Sequence, residues 1–435
     1  MKLDKNDWLI FLLGLFSMTQ IKIIGYIGIS ELICYFIAPH LFMRHNQNFK
    51  KWGMLPYIYF IGLWMIFSIL SFIKNNNDFI LSLKAIAPVY SLFAVSVCAF
   101  VLLVDKYNRI KWFLIGFFLS SILSIFIFQP GYGVVNMAGE ELIGEAAVDN
   151  IISYKLFWVD RISKCVLLPV QAFYLNIPFG YSLIAVFAIT IYSLLSGARS
   201  AFISFAFSLF LILTGRSLKK NPLRVKFKKN KVILLTCCFL TFGFVGKQAY
   251  VFATRAGYLG EAEEIKLSNQ SKQGTSVLNL LMSGRGETFI GLFACLDKPI
   301  MGWGVYPIDP NNQYTLDFLA KYGNELDYKH ASDAALKGEN YIPAHSYIIS
   351  AWVCNGLGGL FFWLYILWIL FLTIRENMYV IPEFFGWFTL TIPKTFWMIF
   401  FSPFGERVGT SVFIICMLLA KAARKQQMID TWRQL

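Results

Sequence analysis

Long apolar runs alternate with short polar breaks along most of the chain. Residues 7–20, 22–43, 55–73, 85–104, 110–128, 157–177, 180–196, 200–215, 232–248, 346–374, 378–400 and 408–421 read as membrane spans, twelve in all. Most come close to the ~20 residues that cross a bilayer core as a helix. The pattern predicts an all-α polytopic membrane protein. The 157–177 run is the weakest, because Asp160, Arg161 and Lys164 lie in its first half. It is kept because the flanking charges require a crossing there. Lys106, Arg109 and Lys111 put the start of 110–128 inside, and a basic stretch after 200–215 puts that end inside as well.

One segment breaks the pattern. Residues 249–344 are polar, rich in Gly, Asn and Asp, and about 96 long. A stretch of that length between spans is often functional. The chain then divides into N-terminal membrane helices (1–248), a large loop between the ninth and tenth spans (249–344), and C-terminal helices with a basic tail (345–435). The span count puts the loop on the outer face and both termini in the cytoplasm. The acidic stretch 139–150 falls outside, and the tail with Lys421, Arg424, Lys425 and Arg433 falls inside. No apolar N-terminal run ends in a small-residue cleavage site, so no removable signal peptide is expected.

Composition agrees and excludes an ordinary soluble domain: 57% of residues are hydrophobic, 17% aromatic and only 15% charged. The net charge of +14 raises the question of nucleic acid, but its distribution answers it. The densest cluster, residues 216–231, holds eight Lys and Arg between two apolar runs and few aromatics. That is a headgroup-facing cytoplasmic loop, not a nucleic-acid surface. Most of the eight cysteines fall inside expected spans, and no CxxC pair suggests zinc or a disulfide framework.

The candidate chemistry lies on the outer face. "LLSGARSAF" (194–202) puts Arg199 at the tip of a hairpin between two spans, where Gly197 permits the reversal. A snorkelling anchor is the plain reading of Arg199; a cation aimed at an anionic ligand is the sharper one. "SGRGETFIGLFACLDKPIMGWGVYP" (283–307) carries Arg285 and a Pro/Gly turn with Gly302 and Gly304. "PAHSYIISAWVCNGLGGLFFW" (343–363) carries His345 just before a helix that Gly356, Gly358 and Gly359 interrupt. "FSPFGERVG" (401–409) adds Glu406 and Arg407, read either as a headgroup-level ion pair or as substrate contacts. Each motif alone has an ordinary structural reading. Together, two arginines and a histidine beside one large loop suit a lipid-linked phosphate or pyrophosphate. Arginine pairs bidentately with phosphate, and histidine serves as a base near neutral pH. No carboxylate-rich cluster suggests a metal, so metal-free chemistry without a cofactor is the simpler expectation.

At these residues the chain resembles the O-antigen ligase and polymerase superfamily of bacterial envelope glycosyltransferases. The likeness rests on "SGARSAF" (196–202), "GRGETFIGLFACLDKPIMGWG" (284–304) and "AHSYIISAWVCNGLGG" (344–359), and covers about residues 180–363. It implies a GT-C-like, metal-independent, inverting membrane glycosyltransferase in the inner membrane, with its active site facing the periplasm. By the same resemblance, Arg199 and Arg285 would bind the pyrophosphate of an undecaprenyl-pyrophosphate-linked glycan. His345 would activate the acceptor hydroxyl, and Arg255 would be a further phosphate contact. Many relatives carry Asn after the histidine, and this chain has the shorter polar Ser346 there. Implied partners are the lipid-linked oligosaccharide or polysaccharide, an acceptor glycolipid and a chain-length regulator.

Two reactions share this chemistry. A polymerase hands the growing chain to the next lipid-linked repeat unit, and a ligase hands it to lipid A–core. The 344–363 and 401–407 stretches are slightly closer to polymerase-like members. A transporter or flippase is the reading from another class. It would call for two related halves, and the sequence has no internal repeat.

Overall fold

The computed structural model describes residues 3–22, 26–127, 145–196, 198–214, 248, 250–258, 264, 267–268, 285–309, 311–322, 341–343, 345–402 and 404–434. Their backbone is mostly helical, with a single two-stranded antiparallel ribbon among the described residues.

The N-terminal helices are α1 (Lys5–Leu15), α2 (Ile29–Lys51), α3 (Leu55–Lys74), α4 (Phe79–Leu103) and α5 (Ile110–Ile127). Side-chain caps set several starts. The Asp4 carboxylate accepts from the Asp7 amide at 2.7 Å, and Asp7 answers from its own carboxylate to the Asp4 amide at 3.2 Å. Asp78 accepts from the Ile80 and Leu81 amides at 2.8 and 3.0 Å. The ribbon, β1 (Gln20–Lys22) and β2 (Tyr26–Gly28), fills the connection between α1 and α2. The middle of the chain gives α6 (Glu145–Phe173), α7 (Phe179–Leu195) and α8 (Arg199–Thr214).

Within the large loop, residues 250–255 are helical, and further on lie α9 (Gly286–Asp297) and α10 (Gln313–Tyr322). The C-terminal part consists of α11 (Tyr347–Asn355), α12 (Leu357–Leu372, continued by a wider turn at Thr373–Asn377), α13 (Pro382–Phe401) and α14 (Arg407–Gln434). The last helix is the most enclosed. Every residue from Val412 to Ala420 is buried, including residues on all sides of the helix. A helix apolar all round belongs in the interior of a bundle. α4, α12 and α13 pack around it, and Phe384, Phe385, Phe388 and Phe413 are fully buried there.

Four described helices are long and apolar enough to cross a membrane: Leu55–Lys74, Phe79–Leu103, Leu357–Asn377 and Pro382–Phe401. Phe179–Leu195 and Ser200–Leu213 are shorter apolar helices. Helix α5 covers Ile110–Ile127 of the expected 110–128 run. Other expected spans depart for visible reasons. The 7–20 run is helical only over Lys5–Leu15, short of the ~20 residues a spanning helix needs. The 22–43 run begins as a ribbon and becomes a helix at Ile29, whose last turns read "RHNQNFKK". The 232–248 run lies outside the described residues apart from position 248. The expected span 157–177 belongs to a 29-residue helix that packs against α13 and pairs its Asp160 with its Lys164 at 2.8 Å. The expected 346–374 span is split at Gly356, and 408–421 extends to Gln434.

Ion pairs tie the two ends of the bundle. At one end Arg407 meets Glu31 at 2.8 Å, and Asn75 and Asn77 reach the 302–305 turn. At the opposite end Arg109 meets Asp4 at 3.0 Å and Asp7 at 3.3 Å, and Lys106 meets Asp4 at 3.2 Å.

Candidate functional site

The site is built where the start of α9, the residue before α11 and the end of α13 converge. Thr288, in the first turn of α9, points its hydroxyl at the His345 carbonyl (3.3 Å) and the Phe400 carbonyl (3.5 Å). Ser346 is fully buried and caps α11 by accepting from the Ile349 amide at 3.2 Å. Its hydroxyl donates to the Ile399 carbonyl at 2.7 Å. A serine cap is worth about 1 kcal/mol. Here the cap also fixes the neighbouring histidine against α13. Ser346 therefore faces the α13 backbone, not the open side of the junction.

Three side chains occupy the open side of this junction. Arg285 is the residue before α9, and its guanidinium lies 5.5 Å from the centre of the Trp397 ring. His345 presents Nδ1 to the Glu287 carboxylate, in the first turn of α9. The side chains of His345 and Glu287 are 48% and 51% exposed, so the pair is accessible. A carboxylate at Nδ1 selects the tautomer with a proton there and leaves the Nε2 lone pair outward, as a base requires. Burial, and then the Arg285 guanidinium, hold His345 below the ordinary imidazole value, which keeps it neutral near pH 7. Sequence reasoning selected Arg285 and His345 but missed Glu287 and Trp397. Glu287 reads as a loop charge in "GRGE", and Trp397 as one more aromatic in an apolar run.

The glycines of the 299–304 turn have an architectural reason. The turn docks on the break between α11 and α12. Trp303 donates its amide to the Val353 carbonyl at 2.6 Å, Gly304 to Cys354 at 3.1 Å, and Leu357 to Ile300 at 2.9 Å. Gly302, Gly304 and Gly356 all have positive φ. A Cβ on Gly356 would stand 1.9 Å from the Ile300 carbonyl oxygen, and one on Gly302 2.5 Å from that of Val353. At Gly304 it would meet the Asn77 side chain at 2.1 Å. These residues lock the loop to the membrane helices beneath His345.

The other expected site residues are spread around the same end. Arg199 opens α8, four residues after Leu195 ends α7, and the Ala198 amide closes the turn on the Ser193 carbonyl at 2.9 Å. The Arg199 side chain lies outside the described residues. Arg255 is exposed, on a segment whose Tyr250 and Val251 pack with Leu194 at the end of α7. Arg407 is engaged by Glu31, which also accepts from the Gly28 amide at 2.8 Å. With side-chain exposures of 13% and 3%, that pair anchors α14 to the start of α2. Glu406 reaches back to Lys394 on α13 at 2.7 Å. No protein-family model, curated protein or solved structure matches this chain.

Proposed function

We propose that the protein is a metal-independent, inverting glycosyltransferase of the GT-C type, with about twelve membrane helices in the bacterial inner membrane. It moves a glycan from undecaprenyl pyrophosphate to an acceptor hydroxyl at the periplasmic face. The observation that carries the reading is the accessible cluster of Arg285, His345 and Glu287 at one end of an apolar helical bundle. A neutral histidine held by a carboxylate suits proton removal from a sugar hydroxyl. An arginine beside it suits a phosphate that gains charge as it leaves.

In the reaction, Nε2 of His345 takes the acceptor hydroxyl proton. The acceptor oxygen bonds to the anomeric carbon from the face opposite the phosphate. The bond from that carbon to the pyrophosphate oxygen breaks, and undecaprenyl pyrophosphate departs with the electron pair. Arg285, with Arg199 and Arg255 from the neighbouring segments, balances its charge. Glu287 holds Nδ1–H and stabilises the imidazolium.

The favoured acceptor is the next lipid-linked repeat unit, which makes the protein a surface-polysaccharide polymerase. A gel of surface glycan from a deletion strain tests this. The polymerase reading predicts core carrying one repeat unit, restored to long chains by the wild-type gene. Bare core with accumulated lipid-linked polymer would assign ligation instead, and an unaltered ladder would overturn both. Arg285→Ala and His345→Ala are expected not to restore long chains while inserting normally. Arg199→Lys is expected to fail too, because an ammonium cannot replace a bidentate guanidinium.

A further inference from the structure

α11 lies across one end of the bundle rather than along it. At its start, Ser346 donates to the Ile399 carbonyl, two residues before α13 ends at Phe401. At its far end, the Cys354 carbonyl accepts from the Ser71 hydroxyl at 2.9 Å, three residues before α3 ends at Lys74. The nine residues of α11 extend about 13 Å, less than half of a ~30 Å hydrocarbon core, so both contacts belong to the same end. A helix whose two ends meet the last turns of two spanning helices runs along the membrane plane. α9 runs beside it in the same direction. Thr288 meets the His345 carbonyl at 3.3 Å, the Cys295 thiol meets the Ile349 carbonyl at 3.9 Å, and the Trp352 ring donates to the Pro299 carbonyl at 2.9 Å.

The side of α9 turned away from α11 is apolar. Thr288, Gly291, Ala294 and Cys295 are buried against the protein. Phe293 and Leu296, three apart on the other face, are 42% and 62% exposed, and Ile300 in the following turn is 57% exposed. A contiguous apolar face of this kind marks a contact surface. The neighbouring spans show what covers it. α3 exposes Ile66, Ile69 and Ile73, and α12 exposes Phe361, Leu364 and Trp368. Both helices are long and apolar enough to cross a membrane, so these stripes face acyl chains. Ile73 lies nearer the end of α3 than Ser71, the residue that touches α11. The lipid-facing surface therefore reaches the level of α11 and α9. The Ile300 carbonyl accepts from the Leu357 amide at 2.9 Å, one turn before Phe361, so the apolar face of α9 continues into the stripe of α12.

We infer that α9 is an interfacial membrane helix, with Phe293, Leu296 and Ile300 inserted among the acyl chains of the leaflet at this end of the bundle. Its twelve residues are too few to read as a span, which is why hydropathy leaves them in the loop. Interfacial helices sink their apolar face about 5–10 Å into the boundary between headgroups and chains. Arg285, the residue before α9, and His345, two residues before α11, then stand at headgroup level. The surface of α9 carries this inference by itself, whatever reaction the site performs.

The test uses the full chain in nanodiscs of palmitoyl-oleoyl phosphatidylglycerol. Phe293, Leu296 and Ile300 are each replaced by the photo-cross-linking amino acid p-benzoylphenylalanine, and lipid adducts are measured by intact mass. All three positions are exposed, so the probe needs no repacking. Phe361 on α12 is the lipid-facing reference, and Asp317, exposed and charged on α10, is the polar one. Adduct yields at positions 293 and 296 are expected within about twofold of that at 361 and at least about fivefold above that at 317. Yields no higher than at 317 would overturn the inference. Adducts at position 300 alone would overturn it too, because only the turn, and not α9, would then reach lipid.

Discussion

His345 is held by opposing influences that can be separated. Burial and Arg285 lower its proton affinity, while the Glu287 carboxylate at Nδ1 favours the charged ring. An NMR titration of histidine-labelled protein is therefore expected to place His345 below ~6.5. Arg285→Gln should move it up and Glu287→Gln should move it further down. A shift of the same sign in both variants would show that neither group acts on the ring directly. With the folded value below the unfolded one, the stability present above pH ~6.5 is lost as pH falls through the folded value. At this scale the sequence exposed the residues with unusual chemistry for their surroundings, namely Arg199, Arg285 and His345. It hid their partners. Lys394 is a lone charge in an apolar run, and only the return of the chain through Glu406 shows why a bundle tolerates it.

Between elements, the break of the expected 346–374 span at Gly356 joins loop to membrane. Gly356 has φ 62° and ψ −146°, a region open almost only to glycine, and its α-carbon abuts the Ile300 carbonyl. Gly356→Ala is expected to destabilise the folded state by roughly 2 kcal/mol or more, from strain together with the backbone clash. It should lower the melting temperature of the detergent-solubilised protein. An unchanged melt would mean that the turn is not docked on the break. The glycines were visible in the sequence, but their partners sit about fifty residues away, beyond the reach of local pattern. Hydropathy located the apolar helices α3, α4, α12 and α13 well and misjudged the edges. It is blind to the ribbon before α2 and to charges that a helix such as α6 turns toward a neighbour.

Across the whole molecule, charge is divided between two ends of an apolar bundle. One end carries the His345 cluster. The other carries a clamp in which the Asp7 amide, then Arg109, holds the Asp4 carboxyl well below its usual range. A carboxylate of that kind contributes stability above its unfolded value near ~3.9 and loses it as pH falls. Acid unfolding of Asp4→Asn should accordingly be less steep with pH than that of the wild type, measured by circular dichroism between pH 5 and 2. The most direct test of the central claim is glycan transfer by purified protein in proteoliposomes supplied with undecaprenyl-pyrophosphate-linked oligosaccharide. Wild-type protein is predicted to release undecaprenyl pyrophosphate and extend the glycan, with His345→Ala slower by about 10²-fold or more, the usual size of a lost general base. Transfer by His345→Ala at the wild-type rate, or no transfer by the wild type itself, would contradict the account.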